Sequence, residues 1–177
     1  PESNFDNLRI GEFAFCEFYF KEYEKQGAEN GVNDLNKLVG ALYRRQKRFY
    51  NVKTNVDGDP RMPFNKNLVE TVYPANVAAW PLEVKLSILA WFKGCRIQLE
   101  KDFKQVFSGG GDVAKYGLWS VMNSVAEKGN HGTFDKVELM LVKEFFMELT
   151  ESIEKAKKYE NDLLIFWQAL ESLAVLV

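Results

Sequence analysis

The sequence predicts an all-α fold: a single-domain helical bundle of about five to six helices, with one long irregular loop at about 49–80. Three observations lead there. Apolar residues recur at the i, i+3, i+4, i+7 spacing of a helix face in every strongly patterned segment. No strand–turn–strand signal appears, and the Gly and Pro clusters fall between the periodic segments. The 177 residues, 46% hydrophobic and 27% charged, suffice for one ordinary core and lie far from a disordered composition.

The first segment, Leu8 to about Gln26, is ambiguous in period. Phe13, Phe15, Phe18 and Phe20 could alternate on a strand, whereas Phe15, Tyr19 and Tyr23 share a helical face. The glutamates and lysines between them favour a helix, and Gly27 and Gly31 mark its break. A second helix is capped by Asp34, carries Leu35, Leu38, Val39, Leu42 and Tyr43 inward, and is expected to end near Arg48. Residues 49–80 hold Pro60, Pro63 and Pro74 beside Asp57-Gly58 and several asparagines, a loop composition. Pro81 suits the first turn of a third helix running to about Phe107. Its first half, through Trp91-Phe92, is apolar nearly all round, as in a central buried helix. Its second half narrows to Cys95, Leu99, Phe103 and Val106, and Gly109-Gly110-Gly111 ends it.

A fourth helix, capped by Asp112, places Leu118, Val121, Met122 and Val125 inward and closes at Gly129. Thr133 caps a fifth, whose stripe is Val137, Leu141, Phe145, Leu149, Ile153 and Ala156. A sixth, apolar helix covers 161–177. Its most apolar stretch, Leu163–Val177, has fifteen residues, short of the ~20 that span a bilayer. The first fifteen residues show no basic segment followed by an apolar run, so no signal peptide is expected. The chain begins at Pro1 rather than Met, which leaves its native N-terminus open.

Composition excludes several chemistries. Lys+Arg 23 against Asp+Glu 25 leaves −2, too balanced for a global pull toward nucleic acid or anionic membrane. Two cysteines, Cys16 and Cys95, exclude a disulfide scaffold and fit a reducing compartment. Both read as small core hydrophobes, and His131 has no His or Cys pair at ligand spacing, so no metal, cofactor or catalytic residue is assigned. Gly109-Gly110-Gly111 before a helix lacks the Gly-Lys-Ser/Thr of a phosphate loop and has Asp112 in its place, which favours a linker. Glu144, Glu148 and Glu151 form a solvated face or an electrostatic docking surface. Arg96 requires a carboxylate or carbonyl partner, which favours a structural ion pair.

Two segments are candidate partner sites. Residues 44–66 carry seven basic and two acidic side chains; within them Arg44, Arg45 and Arg48 adjoin Phe49 and Tyr50, a basic and aromatic combination that could stack on bases. The bland alternative, a solvated helix end running into a loop, is favoured, so nucleic acid is an unlikely partner. The second candidate is the C-terminal helix, where Leu163, Phe166, Trp167, Leu170 and Leu173 carry more apolar surface than one bundle groove covers. It is expected to contact a protein partner or a second copy.

Three stretches, Leu38-Val39-Gly40-Ala41-Leu42-Tyr43-Arg44-Arg45, Ala90-Trp91-Phe92-Lys93-Gly94-Cys95-Arg96 and Tyr116–His131, resemble in that order small proteins of phage and prophage tail-gene clusters. Those proteins look like tail-assembly chaperones by gene position. The resemblance spans about residues 35–150, is sharpest at Trp-Phe-x-Gly-Cys-Arg, and does not include Leu163–Val177. It implies a non-enzymatic tail-assembly or virion protein acting through protein–protein contacts, in a bacterial host's cytoplasm or in the particle. The alternative is a nucleic-acid-binding module using 44–53.

Overall fold

The computed structural model describes residues 1–51, 53, 58–108 and 112–174. The fold is all-α, with eight α-helices among the described residues: α1 (Ile10–Asn30), α2 (Val32–Leu42), α3 (Val72–Val77), α4 (Leu82–Asp102), α5 (Lys104–Ser108), α6 (Asp112–Glu127), α7 (Phe134–Glu138) and α8 (Val142–Ala174). Extended pairing among them is confined to two isolated antiparallel bridges, Arg9 with Leu141 and Gln46 with Arg61. No helix among the described residues is long and apolar enough to cross a membrane.

The core is aromatic because the apolar stripes of α1, α4 and α8 converge on one another. Phe92 is fully buried, with its ring centroid 5.3 Å from Phe5, 6.0 Å from Phe13 and 5.7 Å from Phe20. Phe146 continues the cluster toward Phe103 and Phe107 of the α4–α5 corner. Edge-to-face and tilted pairs of this kind contribute beyond their buried area. α2 packs along α1 and against α3 so closely that Gly40 is required. A Cβ there would stand 2.3 Å from the Tyr73 carbonyl oxygen.

Several boundaries differ from the sequence expectations, each for a physical reason. α1 passes its expected end with one non-helical residue inside, Gly27 at φ 76°, a conformation glycine alone adopts freely. α2 starts at Val32 after Gly31, and Asp34 does not cap it but accepts a hydrogen bond from Gln26 Nε2 at 2.8 Å. α2 also stops at Leu42 rather than near Arg48, because Arg44 turns into the interior. The 49–80 stretch holds a 3₁₀ turn at Lys66–Leu68 and all of α3.

α4 is not buried all round. Leu82, Val84 and Leu86 are exposed, and its inward face is Lys85, Ile88, Phe92, Cys95 and Leu99. Lys85 tolerates that position by donating to Asn36 Oδ1 at 2.8 Å and to the Ala78 carbonyl at 3.1 Å. The helix expected to run to Phe107 breaks at Phe103, and α5 follows separately. The expected fifth helix is divided: α7 is short, Thr133 precedes it without a side-chain cap, and Val142 begins α8. The expected fifth and sixth helices are therefore largely one continuous element. Gly109–Gly111, expected to be a linker, lie outside the described residues, as does the side chain of Asp112 that was expected to cap α6.

Candidate interaction surface

α8 has two unlike halves. In the first, Val142, Phe145 and Phe146 are fully buried, and Leu149 and Ile153 lean on the core. From Glu154 to Trp167 every residue is exposed. The apolar stripe does not stop where the body ends. Leu163, Leu164, Ile165, Phe166 and Trp167 are 46–64% exposed, and Tyr159 is 70% exposed. The helix from Glu154 to Ala174 extends about 30 Å at ~1.5 Å per residue. A contiguous apolar surface of this kind ordinarily marks an interface. Of the candidates here, Leu163, Phe166 and Trp167 stand together in the open, while the side chains of Leu170 and Leu173 lie outside the described residues.

The basic segment does not form one surface. Arg44 is buried, donating from Nη1 to Glu12 Oε1 at 2.6 Å and from Nε to the Met62 carbonyl at 2.8 Å. Lys47 donates to the Asp59 carbonyl at 2.8 Å, and the Tyr50 hydroxyl donates to the Gly58 carbonyl at 2.9 Å. Arg45 is exposed and reaches Asn76 Oδ1 at 3.1 Å. At the tip Phe49 is 87% exposed, with the Arg48 guanidinium 5.6 Å from its ring centroid, and Lys53 is exposed as well. Arg44 therefore does not join Arg45, Arg48, Phe49 and Tyr50 as a contact residue. Burying its guanidinium without a carboxylate would cost far more than leaving it in water, and Glu12 supplies that carboxylate.

Glu12 is the centre of a network that the sequence reading missed. Its side chain is fully buried and also accepts from Arg61 Nη1 at 2.9 Å. Arg61 in turn grips Asp59 through Nε at 2.9 Å and Nη2 at 2.8 Å, and donates to the Leu42 carbonyl at 2.9 Å. Burial alone would raise the Asp59 carboxyl, but the Arg61 hydrogen bonds prevail and hold it below its ordinary value. Burial likewise works against the Arg61 charge, and Asp59 and Glu12 overcome it. Two carboxylates thus neutralise two guanidiniums, pinning α1, the end of α2 and the returning loop together. The available signal was a glutamate set among Ile10, Phe13 and Ala14, where a charge demands a distant cation.

An open cavity of about 790 Å³ lies beside this network. Its cations are already engaged: Arg9 donates to the Leu139 carbonyl at 2.6 Å, and Lys66 lies 3.5 Å from Glu138. The cysteines offer no nucleophile there. Burial, reinforced by the Glu12 charge, pushes the Cys16 thiol well above its ordinary value, and burial also raises Cys95. Among the described residues no group of three or more His, Cys, Asp or Glu could hold a metal ion. His131 Nε2 lies 3.4 Å from Glu148 Oε2. Arg96 pairs with Glu17 at 2.8 Å and Glu100 at 2.7 Å, so the Trp-Phe-x-Gly-Cys-Arg segment ties α4 to α1.

No protein-family model, curated protein or solved structure matches this chain.

Proposed function

We propose that the chain is a non-enzymatic assembly protein, acting through protein–protein contacts and closest in kind to the tail-assembly chaperones of phages and prophages. The observation that carries the reading is the free half of α8, with Leu163, Phe166 and Trp167 held in water on a helix whose other half is anchored in the core. Such a surface suits an apolar segment of a long tail protein that must be kept from aggregating before assembly. The three stretches that resemble that family add to it. Two of them do structural work here: Gly40 admits α3, and Phe92 and Arg96 join α4 to α1.

The test is co-expression of the tagged chain, and of a Phe166→Asp, Trp167→Asp variant, with the long tail proteins of the same phage or prophage. The expected result is that the wild type keeps one of them in the soluble fraction. The variant, with unchanged helix content, should not. Equal results from both proteins would remove the reading.

A further inference from the structure

The exposed run on α8 is apolar on every side. Successive residues of a helix head ~100° apart, and Leu163, Leu164, Ile165, Phe166 and Trp167 are consecutive and 46–64% exposed. Together they leave no arc wider than about 100° without an apolar side chain. By heading, Leu163, Phe166 and Trp167 share one side, continued a turn nearer the body by the exposed Tyr159. Leu164 and Ile165 hold the other. One packed neighbour covers a stripe little wider than ~100°, so this ring takes two.

The charges at the base of the ring fall between those sides. Glu160 heads between Trp167 and Leu164, and Asp162 between Ile165 and Phe166. Both carboxylates are exposed, and among the described residues no cation forms an ion pair with either. Lys155, which heads along the Asp162 line, is held by Glu151 at 3.4 Å. Lys157 and Lys158 lie two turns nearer the body on the Leu164 and Ile165 side, where they limit how far back a neighbour runs.

We propose that the end of α8 is clasped by two apolar helix faces of a basic partner protein, which sets a lysine or arginine in each dividing line, against Glu160 and against Asp162. This rests on the proposed function in taking the free half of α8 as the surface that meets a tail protein. It adds the chemistry of the segment that is met: helical, amphipathic, and cationic at the edges of its apolar face. Charges at the edge of an interface that excludes water select the opposite sign, because like charges set together cost several kcal/mol. An acidic partner or an anionic lipid surface brings negative charge to Glu160 and Asp162. A second copy running parallel brings the same two carboxylates to the same level.

The experiment is titration calorimetry of the full chain at physiological salt with two synthetic amphipathic helices. Both carry the same leucine face, edged by lysine in one and by glutamate in the other. The lysine-edged peptide is expected to bind at two per chain, and the glutamate-edged one at least ~10-fold more weakly, the equivalent of ~1.4 kcal/mol. Glu160→Lys with Asp162→Lys, both at the surface, should reverse that preference. Leu164→Asp with Ile165→Asp should remove one of the two sites and leave the other. Equal affinities for the two peptides overturn the proposal, as does one peptide per chain. It also falls if sedimentation shows the wild type pairing with itself and excluding the peptide, or if neutral phosphatidylcholine vesicles bind the chain and displace the peptide. A chain that keeps a tail protein soluble but binds no lysine-edged peptide overturns this inference and leaves the proposed function standing. One that binds the peptide but retains no tail protein does the reverse.

Discussion

Replacing Glu12 by Gln tests whether the buried charge network holds the fold together. Glu12 accepts from Arg44 at 2.6 and 3.2 Å and from Arg61 at 2.9 Å, with its side chain out of contact with water. Glutamine keeps the shape and, with its oxygen in the Oε1 place, the acceptor shared by both arginines, but it turns an N–H₂ toward Arg44 Nη2 where Oε2 accepted. The cluster then carries one unbalanced positive charge. Asp59 compensates in part, because it already binds Arg61 and lies 3.8 Å from Arg44. Removing one partner of a buried ion pair costs about 3–5 kcal/mol. For a chain of this size that lowers the melting temperature by roughly 6–20 °C, at ~2–4 °C per kcal/mol. Urea unfolding followed by circular dichroism measures it, with an unchanged m-value showing that the folded state is otherwise intact. Removing both charges, as in Glu12→Leu with Arg44→Met, is expected to recover much of the loss. A cost for Glu12→Gln below ~1 kcal/mol would refute the view that the network is dry and coupled.

Four further outcomes are expected. Gly40→Ala should destabilise by ~1–3 kcal/mol in the same assay, because the new methyl meets the Tyr73 backbone and not a movable side chain. Phe92→Ala should cost roughly 3–5 kcal/mol, and a loss within ~0.5 kcal/mol would contradict its position among Phe5, Phe13 and Phe20. The Asp59 carboxyl titrates below its ordinary value of 3.8, so its stabilisation is present above that pH and is lost as the pH falls through the lower folded value; Asp59→Asn should flatten the acid limb of a stability profile. Finally, Arg44 is committed to the interior, so DNA or RNA binding by 44–53 should be slight at physiological salt. A tight, salt-sensitive complex abolished by charge reversal at Arg45 and Arg48 would favour the nucleic-acid alternative.

What could be read beforehand was whatever a local period records. Ile88, Phe92, Cys95 and Leu99 fall on one face of α4 because burial on a helix repeats every 3.6 residues, and that face is the buried one. The all-α class follows from the same regularity. What could not be read depends on residues distant in sequence. Arg44 belongs to Glu12, and Arg61 to Glu12 and Asp59, so a run that looks like a basic surface locally contributes its first member to the core. The outward turn of Leu82, Val84 and Leu86 is the converse case: an apolar composition specifies no direction without knowing which neighbours exist. At α8 the stripe was legible, but Val142 as a start and unbroken passage beyond Asn161 were not, since Thr133 offers a cap that the chain does not use.

The unbroken course of α8 makes angular phase a property of the whole molecule. A straight helix advances 100° and ~1.5 Å per residue, so the heading of Phe166 relative to the core is set by the number of residues between them. Deleting one residue between Glu154 and Asp162 would leave the body untouched and swing the distal face by about 100°, away from any partner that met it before. Inserting seven would lengthen the rod by ~10 Å and return the face to within ~20° of its heading. The segment between body and tip, which touches little, thus behaves as a spacer whose length is quantised, tolerant of sequence and intolerant of a changed count.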